Sequence, residues 1–484
     1  MTMLAFFLVV FLAGMAISRR LFSEELSTAI DVGLSLPLGT SCVVIVAILL
    51  APLIGVRAAI WLGLGITTLL AILQAVTLVR DPRRSLAGLN VRGLLFLLLS
   101  CLMMATILLL HVASHDLGHS QYASFADFLK NGNWPLRWPT APSSLDRPPH
   151  LFYVLVETAL AMVTQSDAVA IHKVSFVITL SVGTSAIFAA FLAVTRAPTT
   201  AFLMTAAFLL ADVGLGPNGT ISSIRAQLST AHASFYALLG LYLYTVHRYL
   251  LLPSAWRMAI IAAAASVLTL NDEAASGLLL GAFAVFTLGT ALRRSVRQRS
   301  AQPFWAVCRH GAAGAVAFFI IGLPLGNLDQ YIAFVHPGNG ISSIVKNTTV
   351  LWQATHMLTY PGWFVPLTLT NLMSVPPLAA FVVIALPMLA TAQPTVASRY
   401  CFFLAFSALF LLLICNNVVI LFDTSALSAN VSLAYVLAAA AGCLALALLI
   451  KELAGHIRGR AEINSANTVP DQGGNENLDL PSCL

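Results

Sequence analysis

Charge is what this chain lacks. Of its 484 residues only 9% are Asp, Glu, Lys or Arg, whereas 59% are hydrophobic, and the mean hydropathy is +0.89. A soluble globular domain carries about 25% charged residues, so a soluble domain is excluded. Short alternating strands are missing as well, which excludes an outer-membrane barrel. Paired cysteines are absent: Cys42, Cys101, Cys308, Cys401, Cys415, Cys443 and Cys483 include no CxxC, and most sit in apolar runs. They read as small buried hydrophobes rather than disulfides or zinc ligands. Cys483 is next to last, whereas a prenylation box needs its cysteine fourth from the end, so that anchor is not expected. The first apolar run, residues 3–17, has no basic residue before it and Arg19-Arg20 after it, so no cleavable signal peptide is expected.

What is present is a series of long runs rich in Leu, Ala, Val and Phe. Only helices or closed barrels satisfy the backbone in hydrocarbon, and a spanning helix takes roughly 20 apolar residues. The fold class expected is therefore all-α and polytopic. Candidate spans lie at 3–18, 31–54, 57–79, 92–112, 168–194, 198–214, 231–250, 256–271, 273–292, 307–326, 375–392, 400–420 and 429–450, about thirteen by this reading. No internal repeat or inverted pair of interrupted helices is evident.

Lys and Arg sort unequally between the loops. One set holds Arg19, Arg20, Arg80, Arg83, Arg84, Arg92, Arg196, Arg248, Arg257, Arg293, Arg294, Arg297, Arg299, Arg309, Arg399, Lys451, Arg458 and Arg460. The other holds Arg57, Lys130, Arg137, Arg147, Lys173, Arg225 and Lys346. Positive loops stay in the cytoplasm, so the amino terminus is expected outside and the carboxyl terminus inside. The polar tail, 451–484, reads as disordered. Two long loops then lie outside, 113–167 and 327–374, and long ordered loops tend to carry function.

The first of them contains "HDLGHSQYASFADFLKNGNWP", from His115 to Pro135. Tyr122, Phe125, Ala126 and Leu129 recur at helical spacing, Asp127 and Lys130 fall off that face, and Asn131-Gly132 stops the helix. A helix this short cannot span, and is expected to lie flat with its apolar face on the membrane. Trp134 and Trp138 suit the interface, and Pro135, Pro139, Pro142, Pro148 and Pro149 keep the next stretch extended. A second apolar helix, "HLFYVLVETALAMV", begins at His150 and is expected to be interfacial or re-entrant. Asp116 is thereby placed where a spanning helix leaves the bilayer. A carboxylate there can take a proton from an attacking hydroxyl. It is equally a good N-cap for a helix beginning at Leu117.

A spanning helix, then Asp, then "YASFADFLKNGNWP", then "RPPHLFYVL" resembles the first outer loop of the C-type (GT-C) glycosyltransferase superfamily. The nearest echoes are protein O-mannosyltransferases and lipid A aminoarabinose transferases. "NGNWP" and "PPHLFYVL" carry the likeness, and "SDAVAIHKVSFVITLSVGTSA" looks like the following family helix, with His172-Lys173 where an arginine is usual. The likeness covers roughly 92–250. It implies a GT-C-like core there, after extra amino-terminal helices at 1–91 and before carboxyl-terminal helices at 251–450. It also implies transfer of a sugar from a polyprenyl-phosphate carrier to a glycan, lipid or protein acceptor outside the membrane, with Asp116 as general base. Two positions depart from the pattern: the second acid of the family's pair is Leu117 here, and Thr230 stands near the place of a further family aspartate.

Beside the base, Arg225 matches the family's arginine and is a candidate grip on phosphate. Lys173 and Lys346 could serve likewise, though any of these cations could instead snorkel to headgroups. His232 could hydrogen-bond a sugar. In the second outer loop Trp352 and His356 are candidates for holding a sugar face, or members of an aromatic belt. Gly338-Asn339-Gly340 lacks the strand and helix that a phosphate loop needs. "LNDEAAS" at 270–276 reads as a capped turn, with Asp272 or Glu273 a possible extra acid, and three oxygen ligands in sequence make no metal cage. No metal, cofactor or nucleic-acid partner is expected. The alternatives are a transporter or lipid flippase, which would place ionisable groups deep in the spans, and a non-catalytic membrane scaffold of the same fold.

Overall fold

A computed structural model of the chain describes residues 2–22, 27–80, 90–114, 121–132, 151–214, 234–271, 273–322, 395–418, 433, 436–451 and 453–454. Among the described residues every regular element is a helix and none is a strand. The helices are α1 (Thr2–Leu21), α2 (Thr28–Ile54), α3 (Val56–Arg80), α4 (Val91–Ser114), α5 (Gln121–Lys130), α6 (Leu151–Thr164), α7 (Ala168–Thr195), α8 (Pro198–Gly214), α9 (Phe235–Leu251), α10 (Ala255–Thr269), α11 (Glu273–Gln298), α12 (Gln302–Ala317), α13 (Val396–Val418) and α14 (Val436–Lys451). Six are long and apolar enough to cross a membrane: α1, α2, α3, α4, α7 and α11. The expected segment at 307–326 begins earlier, at Gln302, and its helix loosens into a π turn at Phe318–Gly322. The expected span at 375–392 and the tail beyond 454 lie outside the described residues.

These helices keep their polar groups satisfied locally. Thr40, Ser41, Thr67, Ser100, Thr184, Thr205 and Thr287 each donate to a carbonyl three or four residues back, the usual way for a hydroxyl to live in an apolar helix. Pro37 inside α2 has no N–H for the Gly33 carbonyl. Ser185 Oγ, from α7, lies 3.1 Å from that carbonyl oxygen and 2.5 Å from the Val182 carbonyl, sharing its proton between them. Tyr242 donates to the Leu279 carbonyl at 2.9 Å and Tyr400 to the Leu243 carbonyl at 3.3 Å, tying α9 to α11 and to α13. Where lipid tails are as apolar as leucine, such bonds and close packing hold helices together.

The close packing is tightest where α1 crosses α2. A Cβ at Gly14 would overlap the Ser35 carbonyl, and one at Gly39 would overlap the Val10 carbonyl. The two backbones touch there because neither glycine has a side chain. Of the five cysteines whose side chains are described, all free, only Cys401 is fully buried; Cys42, Cys101, Cys308 and Cys443 are part-buried.

The helix ends fall into two groups. At one end Arg19 pairs with the buried Asp31 at 2.7 Å, and Arg92 reaches Thr199 at 3.3 Å. Arg20, Arg248 and Arg257 share one recess there, and Asn90, Arg196 and Arg248 another. At the opposite end the α2–α3 turn meets the end of α5, where the Arg57 side chain lies against Gly132. Ser234 Oγ bonds Asn271 Oδ1 at 2.7 Å, joining the start of α9 to the α10–α11 turn. The two sets of cations separated in the sequence therefore occupy opposite ends, as far as they are described.

Gly14→Val or Gly39→Val is expected to lower stability by about 1–3 kcal/mol, the cost of overpacking a tight contact. Gly65→Val, where a Cβ meets nothing within 4 Å, should differ little. Thermal unfolding in one detergent, read by intrinsic fluorescence, checks the contrast; equal melting temperatures for all three variants would refute the close crossing.

Candidate functional site

The end opposite the arginines carries two short helices, α5 and α6. α5 runs from Gln121 to Lys130, ten residues, and stops where Gly132 takes φ +90° and its N–H reaches the Leu129 carbonyl. That is the glycine stop expected from the sequence. Phe125, Ala126 and Leu129 form its buried face. That face rests on α6 and α7 rather than on lipid. The expectation of a helix lying apolar face down on the membrane is corrected: the stripe is real, but protein covers it.

α6 has 14 residues, and every side chain from Leu151 to Met162 is buried. The Phe152 N–H bonds the Leu270 carbonyl at the α10–α11 turn, at 3.3 Å. At the other end of α6, Lys130 Nζ bonds the Ser166 carbonyl at 2.8 Å. Both ends of α6 thus meet turns at the same end of the bundle. It lies across that end instead of crossing to the other. An apolar helix only this long fits such a placement, because its backbone is paired internally and its sides are all covered.

α5 also closes the start of α7. Asp167 occupies the N-cap position but makes no side-chain cap bond. Asp127 Oδ1 accepts from the Ala168 N–H instead, at 2.9 Å. The two polar residues that fell off the apolar stripe, Asp127 and Lys130, are therefore the clasp on the α6–α7 turn, where Gln165 takes φ 55°.

Beneath this clasp lies a pair that sequence reading overlooked. His172 Nδ1 is 2.6 Å from Glu157 Oε1, with side-chain exposures of 4% and 0%. Tyr153 OH is 3.5 Å from the same nitrogen, long for a strong bond, with its ring edge-on to the imidazole. Glu157 Oε2 and His172 Nε2 have no hydrogen-bond partner among the described residues. With Glu157 ionised and the imidazole neutral, Nδ1 donates to the carboxylate and Nε2 is an acceptor. A carboxylate that fixes an imidazole in this way readies its far nitrogen to take or give a proton. Burial pushes the Glu157 carboxyl above its ordinary 4.5. The hydrogen bond and charge of His172 pull it down, and the like charge of Asp127 pushes it up. The signal for this pair was available: one acid in an otherwise apolar helix, followed by a histidine in the first turns of the next.

Of the residues singled out in the sequence, Lys173 is described. It stands on the exposed side of α7, one residue from His172 but not facing the buried pair. Asp116, Arg225, His232, Lys346, Trp352 and His356 lie outside the described residues, as do Leu117, Thr230, Asp272 and Gly338–Gly340. Glu273 begins α11, but its side chain is outside the described set. Among the described residues no three His, Cys, Asp or Glu side chains come together to hold a metal. No protein-family model matches the chain, and no curated protein or solved structure matches it.

Two outcomes follow. Asp127→Ala removes the cap on α7 and should cost about 1 kcal/mol, seen as a lower melting temperature; an unchanged value would show that another group caps α7. Glu157→Gln tests the raised carboxyl. A raised carboxyl holds its proton more firmly folded than unfolded, so its contribution is complete below about pH 4.5 and lost as pH climbs through the folded value. The melting temperature of the Gln variant relative to the parent should therefore rise as pH climbs above 4.5. A difference independent of pH would refute it.

Proposed function

We propose that the chain is a membrane glycosyltransferase that moves a sugar from a polyprenyl-phosphate donor to an acceptor at the membrane face opposite its arginine-rich end. The observation that carries this reading is the layer of α5 and α6 across that end, with an ionisable acid–imidazole pair enclosed beneath it. A donor held in the bilayer presents its phosphate and sugar at the lip of the membrane, and a layer across the end of the bundle suits that placement. The resemblance of 92–250 to the GT-C first outer loop supplies the reaction class. The arginine-rich end faces the cytoplasm by the positive-inside rule. The amino terminus is then outside and the carboxyl terminus inside, in a bacterial inner membrane crossed about thirteen times.

In this reading the acceptor hydroxyl oxygen attacks the anomeric carbon while the bond from that carbon to the phosphate oxygen breaks. The bonding pair leaves with the polyprenyl phosphate, and Asp116 takes the hydroxyl proton. One displacement inverts the anomeric configuration. Arg225, with Lys173 or Lys346, offsets the charge that grows on the leaving phosphate. His232, His356 and Trp352 hold the sugar. Lys173 is the one of these groups that is described, and its exposed position on α7 suits a phosphate at the headgroup level better than one deep in the bundle.

The transporter or flippase reading draws on the same buried pair, since an intramembrane acid and imidazole can carry protons. It is less favoured because Glu157 and His172 lie near one end of the bundle. Asp31 lies near the other end, on α2's first turn. The scaffold reading draws on Leu117 and Thr230, which stand where family acids are expected.

Purified chain in vesicles containing polyprenyl-phosphate sugars should release polyprenyl phosphate when an inner-membrane extract supplies acceptor. Asp116→Asn should slow that release by about 100-fold or more, the range of a general base. Full-rate release by the variant would remove Asp116 from the reaction, and donor-independent solute counterflow without release would favour transport.

A further inference from the structure

The arginine-rich end holds a cavity unlike the others there. α9, α11, α12 and α13 enclose about 550 Å³, lined by Arg293, Arg294 and Arg297 from α11 and Arg399 from α13. The neighbouring recess with Arg20, Arg248 and Arg257 is half that size, about 270 Å³. No described acidic residue lines the larger cavity, and none of its four arginines has a salt bridge to a described carboxylate.

The arginines converge for local reasons. Thr290, Arg293, Arg294 and Arg297 are spaced by three and four residues, so they share a flank of α11. Arg399 comes from the first turn of α13, whose start is capped by Thr395 Oγ1 accepting from the Ser398 N–H at 3.1 Å. The amino end of a helix already favours an anion. Arg399 Nε is buried and has no hydrogen-bond partner among the described residues. A buried guanidinium N–H left without an acceptor is costly, and at the edge of a cavity that cost is removed by a ligand oxygen. Tyr249 OH and His310 Nδ1, 3.0 Å apart, add a neutral polar pair to the lining.

The cavity is also two-sided in character. One side of its wall is apolar, with Phe286 buried and Phe402 39% exposed. Trp256 and Trp305, in the first turns of α10 and α12 at the same end, are 63% and 62% exposed, the level at which such rings sit in a membrane. A basic rim over an apolar wall at the headgroup level fits an amphiphile.

We infer that this cavity binds the phosphate headgroup of an anionic phospholipid, with its acyl chains along the Phe286–Phe402 wall. Guanidinium forks match phosphate oxygens in pairs. Four of them suit a headgroup carrying two phosphodiesters better than one carrying a single charge. The site is independent of the proposed transfer reaction, which is placed at the other end.

Native mass spectrometry of the detergent-purified full chain with tetraoleoyl cardiolipin tests this. One retained cardiolipin per chain is expected, with weaker retention as salt rises, and none of comparable strength with dioleoyl phosphatidylcholine. Arg294→Gln with Arg399→Gln should weaken cardiolipin binding by about tenfold or more, while Arg57→Gln, at the opposite end, should bind as the parent does. If the double variant is not monodisperse, Arg293→Gln with Arg297→Gln, both exposed on α11, should give the same loss. Equal retention of phosphatidylcholine, or parental cardiolipin binding by the arginine variants, would overturn the site. Displacement of cardiolipin by an equal concentration of glycerol 3-phosphate would overturn the lipid assignment in favour of a soluble phosphate.

Discussion

A guanidinium cannot be left in hydrocarbon, and that single constraint organises this molecule. Eighteen of the 25 Lys and Arg residues belong to one set of loops, and the helices bring the described members of that set to one end. Once that end is fixed, the turns at 54–56, 131–132, 165–167 and 270–271 must lie at the other. The two short helices α5 and α6 are then compelled to start and finish on the charge-poor side. Their length does the rest: neither can reach across, so both must be accommodated at the surface of the bundle.

How they are accommodated sets the chemistry available. α6 is surrounded by α1, α2, α3, α5 and α7, and a helix enclosed on all sides has no reason to carry an acid unless something meets it. His172 meets Glu157, and the pair uses only one polar atom of each side chain among the described residues. Removing both partners for apolar groups would be the cheaper way to fill such a space. Their retention in an otherwise apolar layer is the feature that distinguishes this end of the molecule from simple packing.

Much of the architecture was legible in the sequence because hydrophobic length is a strong signal. The helices at 56–80, 91–114, 168–195 and 198–214 lie within two residues of the expected segments at one or both ends, and the Gly132 stop was readable from Asn131-Gly132. What composition could not show was partnership. The stripe of Phe125, Ala126 and Leu129 is equally apolar whether lipid or α6 covers it, so the covering helix had to be seen. Asp127 could be read only as lying off that stripe, because its bond to the Ala168 N–H spans 41 positions. Glu157 and His172 could not be paired for the same reason, being 15 positions apart and on different helices. The arginine cavity was likewise invisible as a unit, since Arg399 comes from a different stretch than Arg293, Arg294 and Arg297.

The clasp made by Asp127 carries a consequence for stability. α1, α2 and α3 pack against one another, and the α1–α2 crossing and the Arg19–Asp31 pair involve only these early segments. The first turn of α7 is different: its amide is stitched by a carboxylate 41 positions upstream, on the ten-residue helix α5. The first turn of α7 is therefore complete only where α5 is docked upon it, so the two elements stand or fall together.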